Sequence, residues 1–90
     1  MDNSIVVENG AAPGSLILTC PVLSNVWTKD GNTIRDTNSY FQISDDLRVL
    51  RNAQNIDGSY IGTYECGNLA GEKETWVVDV PGVATKNLKK

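Results

Sequence analysis

Residues 15–31 read SLILTCPVLSNVWTKDG, and this stretch decides the fold. In Ser15–Pro21 the side chains of Leu16, Leu18 and Cys20 fall on one face and those of Ile17 and Thr19 on the other. That two-residue period is the mark of a half-buried strand. Asn25–Lys29 (NVWTK) reads as a second short strand. It runs into Asp30-Gly31, a strong hairpin signal, because a two-residue type I′ turn needs positive φ at both central positions. Asn32–Arg35 (NTIR) is then the return strand.

Working outward, the same grammar repeats. Ser4–Glu8 reads as a first strand, followed by the turn signals Asn9-Gly10 and Pro13-Gly14. Tyr40–Ser44 and Leu47–Arg51 are two further runs joined at Asp45-Asp46. Thr63–Gly67 and Lys73–Val80 flank the turn Asn68–Glu72, which holds Gly71. No stretch carries a clean helical period with caps. Roughly six to eight short strands in so short a chain imply an antiparallel sandwich or small barrel.

Composition removes several functions. The chain has 90 residues, enough for one domain, and 40% of them are hydrophobic, which excludes a disordered sequence. No apolar run approaches the ~18 residues that a membrane helix needs, so no membrane insertion is expected. There is no histidine, hence no imidazole base, and two cysteines alone cannot complete a common zinc site. The net charge is −3, which argues against a general nucleic-acid binder. That figure hides an asymmetry. Residues 1–80 hold eleven acids against five bases, a net −6, whereas Lys86, Lys89 and Lys90 crowd the end. The expected organisation is a domain over residues 1–82 and a basic linker or appended tail over 83–90. Met1 is followed by Asp2-Asn3-Ser4, which is no secretory signal, so a secreted origin implies a piece of a longer protein.

The two cysteines lie in core-like strands, away from any CxxC pair. They are either two buried thiols or one cross-link, and the cross-link is the expectation. A domain this small is marginal on core burial alone. Closing a loop of 46 residue steps would contribute about 4 kcal/mol by the chain-entropy account.

The order Cys20, Trp27, Tyr64, Cys66 resembles the immunoglobulin superfamily, in which a Trp on strand C packs on the B–F disulfide and a Tyr precedes the second Cys by two residues. Leu16-x-Leu18-x-Cys20 is similar to strand B, and Trp27-Thr28-Lys29-Asp30-Gly31 to strand C with its turn. Leu47-x-Val49 is similar to strand E and Gly62-x-Tyr64-x-Cys66 to strand F. Asn68-Leu69-Ala70-Gly71-Glu72 resembles the F–G turn of the intermediate (I-set) class. The resemblance implies an all-β, immunoglobulin-like antiparallel sandwich of Greek-key connectivity. It also implies one inter-sheet disulfide, Cys20–Cys66, with Trp27, Leu47 and Tyr64 in the core. The chain departs from the pattern in three places. The Cys20-to-Trp27 span is short. Asn25 stands where an apolar residue is usual, which predicts a shifted or bulged strand C. Tyr60 stands where the family has an Asp, so Arg48 or Arg51 with Asp57 becomes the expected ion pair, and Gly58–Tyr60 is expected to bulge the E–F corner. The gamma and delta signalling chains associated with the T-cell receptor are a second resemblance, through Gly-Ser before strand B and Trp-x-Lys-Asp-Gly. Those chains would pair side by side through their last strands, but their Cys-x-x-Cys stalk is absent here.

The expected function is binding without chemistry or cofactors. The chain reads as an extracellular domain of a cell-surface receptor, adhesion or matrix protein that contacts a protein partner, with another immunoglobulin-like domain as one candidate. A structural spacer and a signalling subunit are the alternatives. Candidate interface residues are Val26, Tyr40, Phe41 and Tyr60, with Trp76 as a further anchor although the period of Trp76, Val78 and Val80 places it inward. Asp36, Asp45 and Asp46 lack the loop pattern of a calcium site and read as turn residues. No Asn-x-Ser/Thr sequon occurs.

Overall fold

A computed structural model describes residues 2–82; the predicted basic tail lies outside the described residues. Among the described residues, eight strands follow in order. They are β1 (Asp2–Val6), β2 (Ile17–Thr19), β3 (Val26–Lys29), β4 (Asn32–Thr33), β5 (Phe41–Ile43), β6 (Val49–Asn52), β7 (Gly62–Gly67) and β8 (Lys73–Asp79). A 3₁₀ turn, Gly58–Tyr60, precedes β7. The strands form a sandwich of two sheets, β1-β8-β7-β3-β4 and β2-β6-β5. The connections β3–β4, β5–β6 and β7–β8 stay within a sheet as antiparallel hairpins. The connections β1–β2, β2–β3, β4–β5 and β6–β7 cross between sheets.

The alternation across residues 16–20 is as expected. Leu16, Leu18 and Cys20 are buried and Ile17 and Thr19 are exposed. The Asp30-Gly31 hairpin has φ of 51° and 85° at its two central residues, the left-handed pair that a type I′ turn requires. Cys20 and Cys66 are bonded across the two sheets with Cα atoms 6.1 Å apart. Trp27 lies opposite Cys66 in the β3–β7 ladder and stacks on Trp76 with ring centroids 5.4 Å apart. Its indole Nε1 donates to the carbonyl of Leu47 at 2.8 Å. The Tyr64 hydroxyl donates back to the carbonyl of Tyr60 at 2.7 Å, which satisfies a fully buried phenol. Burial pushes that hydroxyl well above the usual tyrosine range.

Several expectations are corrected. β1 does not begin at Ser4, and it runs parallel to β8. Ile5 thereby lies opposite the buried Val78, while Asn3 donates to Glu74 at 2.7 Å and to the Thr75 carbonyl at 3.0 Å. Leu47 is not a core side chain. It is half-buried with φ of 63°, at a turn, and serves the core through its carbonyl. The inward residues of β6 are Leu50, opposite Leu18, and Asn52. Strand β3 carries no bulge, because its ladder with β7 is regular from Val26 to Lys29. No ion pair joins Arg48 or Arg51 to Asp57. The Arg48 guanidinium donates to the Cys20 carbonyl at 3.0 and 3.3 Å. Asp57 caps the 3₁₀ turn instead, accepting from the amide and hydroxyl of Ser59. The Gly58–Tyr60 insertion is that turn.

Asn52 fixes the approach to β2. It is fully buried, and its carboxamide uses both ends. Oδ1 accepts from the amides of Leu16 (2.8 Å) and Gly14 (3.1 Å), and Nδ2 donates to the carbonyls of Gln54 (2.7 Å) and Ala12 (3.2 Å). This side chain, together with the bond from the Gly14 amide to the Asn52 carbonyl at 2.9 Å, pins the loop before β2 to β6.

Candidate functional site

Three of the five predicted interface residues lie in the core. Phe41, Tyr60 and Trp76 are 8%, 1% and 7% exposed, so the expectation of an aromatic surface patch is corrected. The reason is mutual packing. Phe41 sits edge-on to both Tyr60 and Tyr64, and the Tyr60 hydroxyl reaches the Tyr40 carbonyl at 2.8 Å, so the rings are spent inside the sandwich. Tyr40 and Val26 are exposed, but they do not meet. Val26 pairs with Gly67 at the end of β7, whereas Tyr40 packs on Tyr60, just before its start.

Two exposed leucines stand on neighbouring loops, β2–β3 and β7–β8, at one end of the molecule. Leu69 is 98% exposed and Leu23 is 73% exposed. A leucine in a tight turn breaks the rule that turns take Gly, Pro, Asn, Asp or Ser. The turn exists because Asn68 supplies its chemistry. Its Oδ1 accepts from the amides of Ala70 (2.9 Å) and Glu72 (3.3 Å), Gly71 N–H returns to the Asn68 carbonyl at 3.1 Å, and Gly71 takes a φ of 88°. Leu69, between them, is held out into solvent.

The two loops are also laced to each other. Asn68 Nδ2 donates to the Leu23 carbonyl at 2.7 Å and to Glu72 Oε1 at 2.9 Å. The Asn25 amide donates to the Gly67 carbonyl at 2.7 Å, and the Leu69 amide donates to Asn25 Oδ1 at 3.3 Å. The short Cys20-to-Trp27 span brings the β2–β3 loop close enough to be tied in this way. Asn25, out of place for an apolar strand residue, is one of the ties. The leucines are thus presented on a pre-organised frame, which lowers the ordering cost of any contact they make.

Beside Leu69 a groove of 250 Å³ runs over the outer face of β3 and β7, lined by Val26, Glu65, Leu69, Glu72 and Lys73 among others. Glu65 is part of its lining and lies 4.0 Å from Lys73 Nζ through Oε2. The Asn68–Glu72 turn is legible in the sequence, but Leu69 does not stand out there as a site residue. The one signal for it is an apolar residue among turn formers.

Of the acids weighed as calcium ligands, Asp46 is bonded within its own turn. Asp46 accepts from the Ser44 hydroxyl (2.6 Å) and the Arg48 amide (3.1 Å), which hold its carboxyl below the usual range. No cluster of three His, Cys, Asp or Glu side chains suited to a metal occurs among the described residues. Among those residues, too, no helix is long and apolar enough to cross a membrane. No family model matches the chain, and no curated protein matches it.

Proposed function

We propose that the chain is an extracellular immunoglobulin-like domain of a receptor, adhesion or matrix protein, and that it binds another protein through the tip carrying Leu23 and Leu69. The observation that carries the reading is Leu69, almost wholly in solvent on a turn tied to its neighbour loop by Asn68. An apolar side chain left in water gives the free domain no packing return. In a partner's pocket it becomes an anchor. The family reading is supported by the sheet orders, by Trp27 opposite Cys66, and by the Tyr64 hydroxyl bond. The extracellular reading is supported by the disulfide, which persists in oxidising compartments. Side-by-side pairing through the last strand is disfavoured, because β1 and β7 already occupy both edges of β8.

The test is to display the domain as fluorescent tetramers and stain intact cells and extracellular matrix. Staining of a defined subset, lost in Leu69→Asp with unchanged thermal unfolding, is the expected result. Staining that survives Leu69→Asp would refute the tip. An inert, monomeric domain would favour the spacer.

A further inference from the structure

The chemistry of the partner can be read from what surrounds the leucines. The β2–β3 loop, from Pro21 to Asn25, carries no charge. The β7–β8 side of the tip carries Glu65, Glu72 and Glu74 against Lys73 alone. Glu74 turns to the edge and accepts from Asn3. Glu65 and Glu72 both line the groove beside Leu69 and Val26. Their bonds engage one oxygen each, Glu65 Oε2 with Lys73 and Thr75, and Glu72 Oε1 with Asn68. Among the described residues, Glu65 Oε1 and Glu72 Oε2 have no partner.

The groove continues past Glu65 along the same face of β3 and β7 into a second hollow of 390 Å³. That hollow is lined by Thr28, Asp30, Gly31, Thr63 and Glu65. Asp30 is satisfied there by the Thr63 amide at 2.9 Å and by Lys29 at 3.2 Å. The unspent negative charge therefore sits at the leucine end. A second copy docking tip to tip would bring these carboxylates together, so the charge selects against self-association.

We infer that the groove beside Leu69 docks a protein segment in which a Lys or Arg side chain adjoins an apolar residue. The cation meets Glu65 Oε1 and Glu72 Oε2 beside the domain's own Lys73, which holds the other Glu65 oxygen, while the apolar neighbour packs on Val26 and Leu69. This rests on the tip reading above and goes beyond it by naming the contact chemistry of the partner. Arg suits the site better than Lys, since its planar fork can serve two carboxylate oxygens at once.

The probe is a phage-displayed library of random linear peptides, selected on the immobilised wild-type domain at low salt. Enriched peptides are then measured on Leu69→Asp and on the double variant Glu65→Gln/Glu72→Gln. The carboxamide that replaces the Glu72 carboxylate keeps an oxygen for Asn68, so the turn is preserved, and unchanged thermal unfolding verifies it. The expected result is enrichment of Lys or Arg beside apolar residues. Binding should weaken about ten-fold in the double variant and fall as salt is raised, and it should be lost in Leu69→Asp. Peptides that need Leu69 but ignore the double variant overturn the charge inference and leave the tip reading standing. Peptides indifferent to Leu69, or no enrichment at all, overturn both.

Discussion

Replacing Asn52 by alanine tests whether one buried carboxamide holds the loop before β2. Asn52 makes four hydrogen bonds in a site without solvent access. Two of its partners have an alternative. The Gly14 amide also donates to the Asn52 carbonyl, and the Ala12 carbonyl also accepts from Ser15. The Leu16 amide and the Gln54 carbonyl lose their carboxamide partner with no replacement among these contacts. A buried polar group left unpaired costs about 1–3 kcal/mol; the Leu16 amide is buried, whereas Gln54 is exposed and its carbonyl can turn to water, so the loss is about 2 kcal/mol. A chain of this size has about 5–13 kcal/mol in all. Asn52→Ala should therefore lower the thermal midpoint by about 10 °C, and urea unfolding should show the same loss at an unchanged slope. Amide hydrogen exchange adds a local check, since Leu16 should pass from slow to fast exchange ahead of the sheet amides. Asn55→Ala is the control. Its side chain reaches the Gly10 carbonyl at only 3.4 Å in an exposed position, and its loss should cost under about 0.5 kcal/mol. A loss under about 1 kcal/mol for Asn52→Ala, or equal losses at the two asparagines, would refute the reasoning.

Three further outcomes are expected. A thiol assay on the folded protein should find none, and reduction should cost about 4 kcal/mol of stability; two titratable thiols would contradict the Cys20–Cys66 bond. Tyr64→Phe strands the Tyr60 carbonyl and should cost about 1–3 kcal/mol in urea unfolding, with wild-type stability in the variant counting against that bond. Stability should be flat between about pH 5 and pH 9 and fall on both sides. On the acid side, the Thr63 amide holds Asp30, the Ser44 hydroxyl Asp46 and the Ser59 hydroxyl Asp57 below the ordinary 3.8. Their contribution is present above that value and is lost as pH falls through the lower folded values. On the alkaline side, burial raises Tyr60 and Tyr64 above the ordinary 10.0, so their contribution is lost as pH climbs past 10.0. Unfolding midpoints indifferent to pH at both extremes would contradict these assignments.

The parts of the fold legible in the sequence are those set by local rules. Leu16, Leu18 and Cys20 alternate because their strand has one wet face. Asp30-Gly31 turns because its backbone tolerates positive φ. The register of β6 was not legible. Its run, LRVLR, offers two parities, and the inward neighbour of Leu50 is a polar residue, Asn52, whose burial depends on a loop nearly forty residues away. The pairing of β1 with β8 spans most of the chain and leaves no local trace. The aromatic residues misled for a related reason. Whether Phe41 or Tyr60 faces solvent depends on which rings arrive opposite, and both rings lie in one edge-on cluster with Tyr64. Leu69, the residue on which the site turns, was hidden by ordinary expectation, since apolar side chains are assigned to the interior until a turn forces one out.

The parallel run of β1 beside β8 also settles how the domain would bear force. A pull on the two chain ends draws β1 and β8 in opposite directions along their common axis. The five residue pairs of that ladder are then loaded together in shear rather than opened one at a time. Should the ladder yield, the Cys20–Cys66 bond withholds the 46 residue steps between its cysteines from extension. At about 3.3–3.6 Å per residue that shortens the released length by roughly 150 Å. Under tension the protein should behave as a short, stiff tether that gives way late and lengthens little.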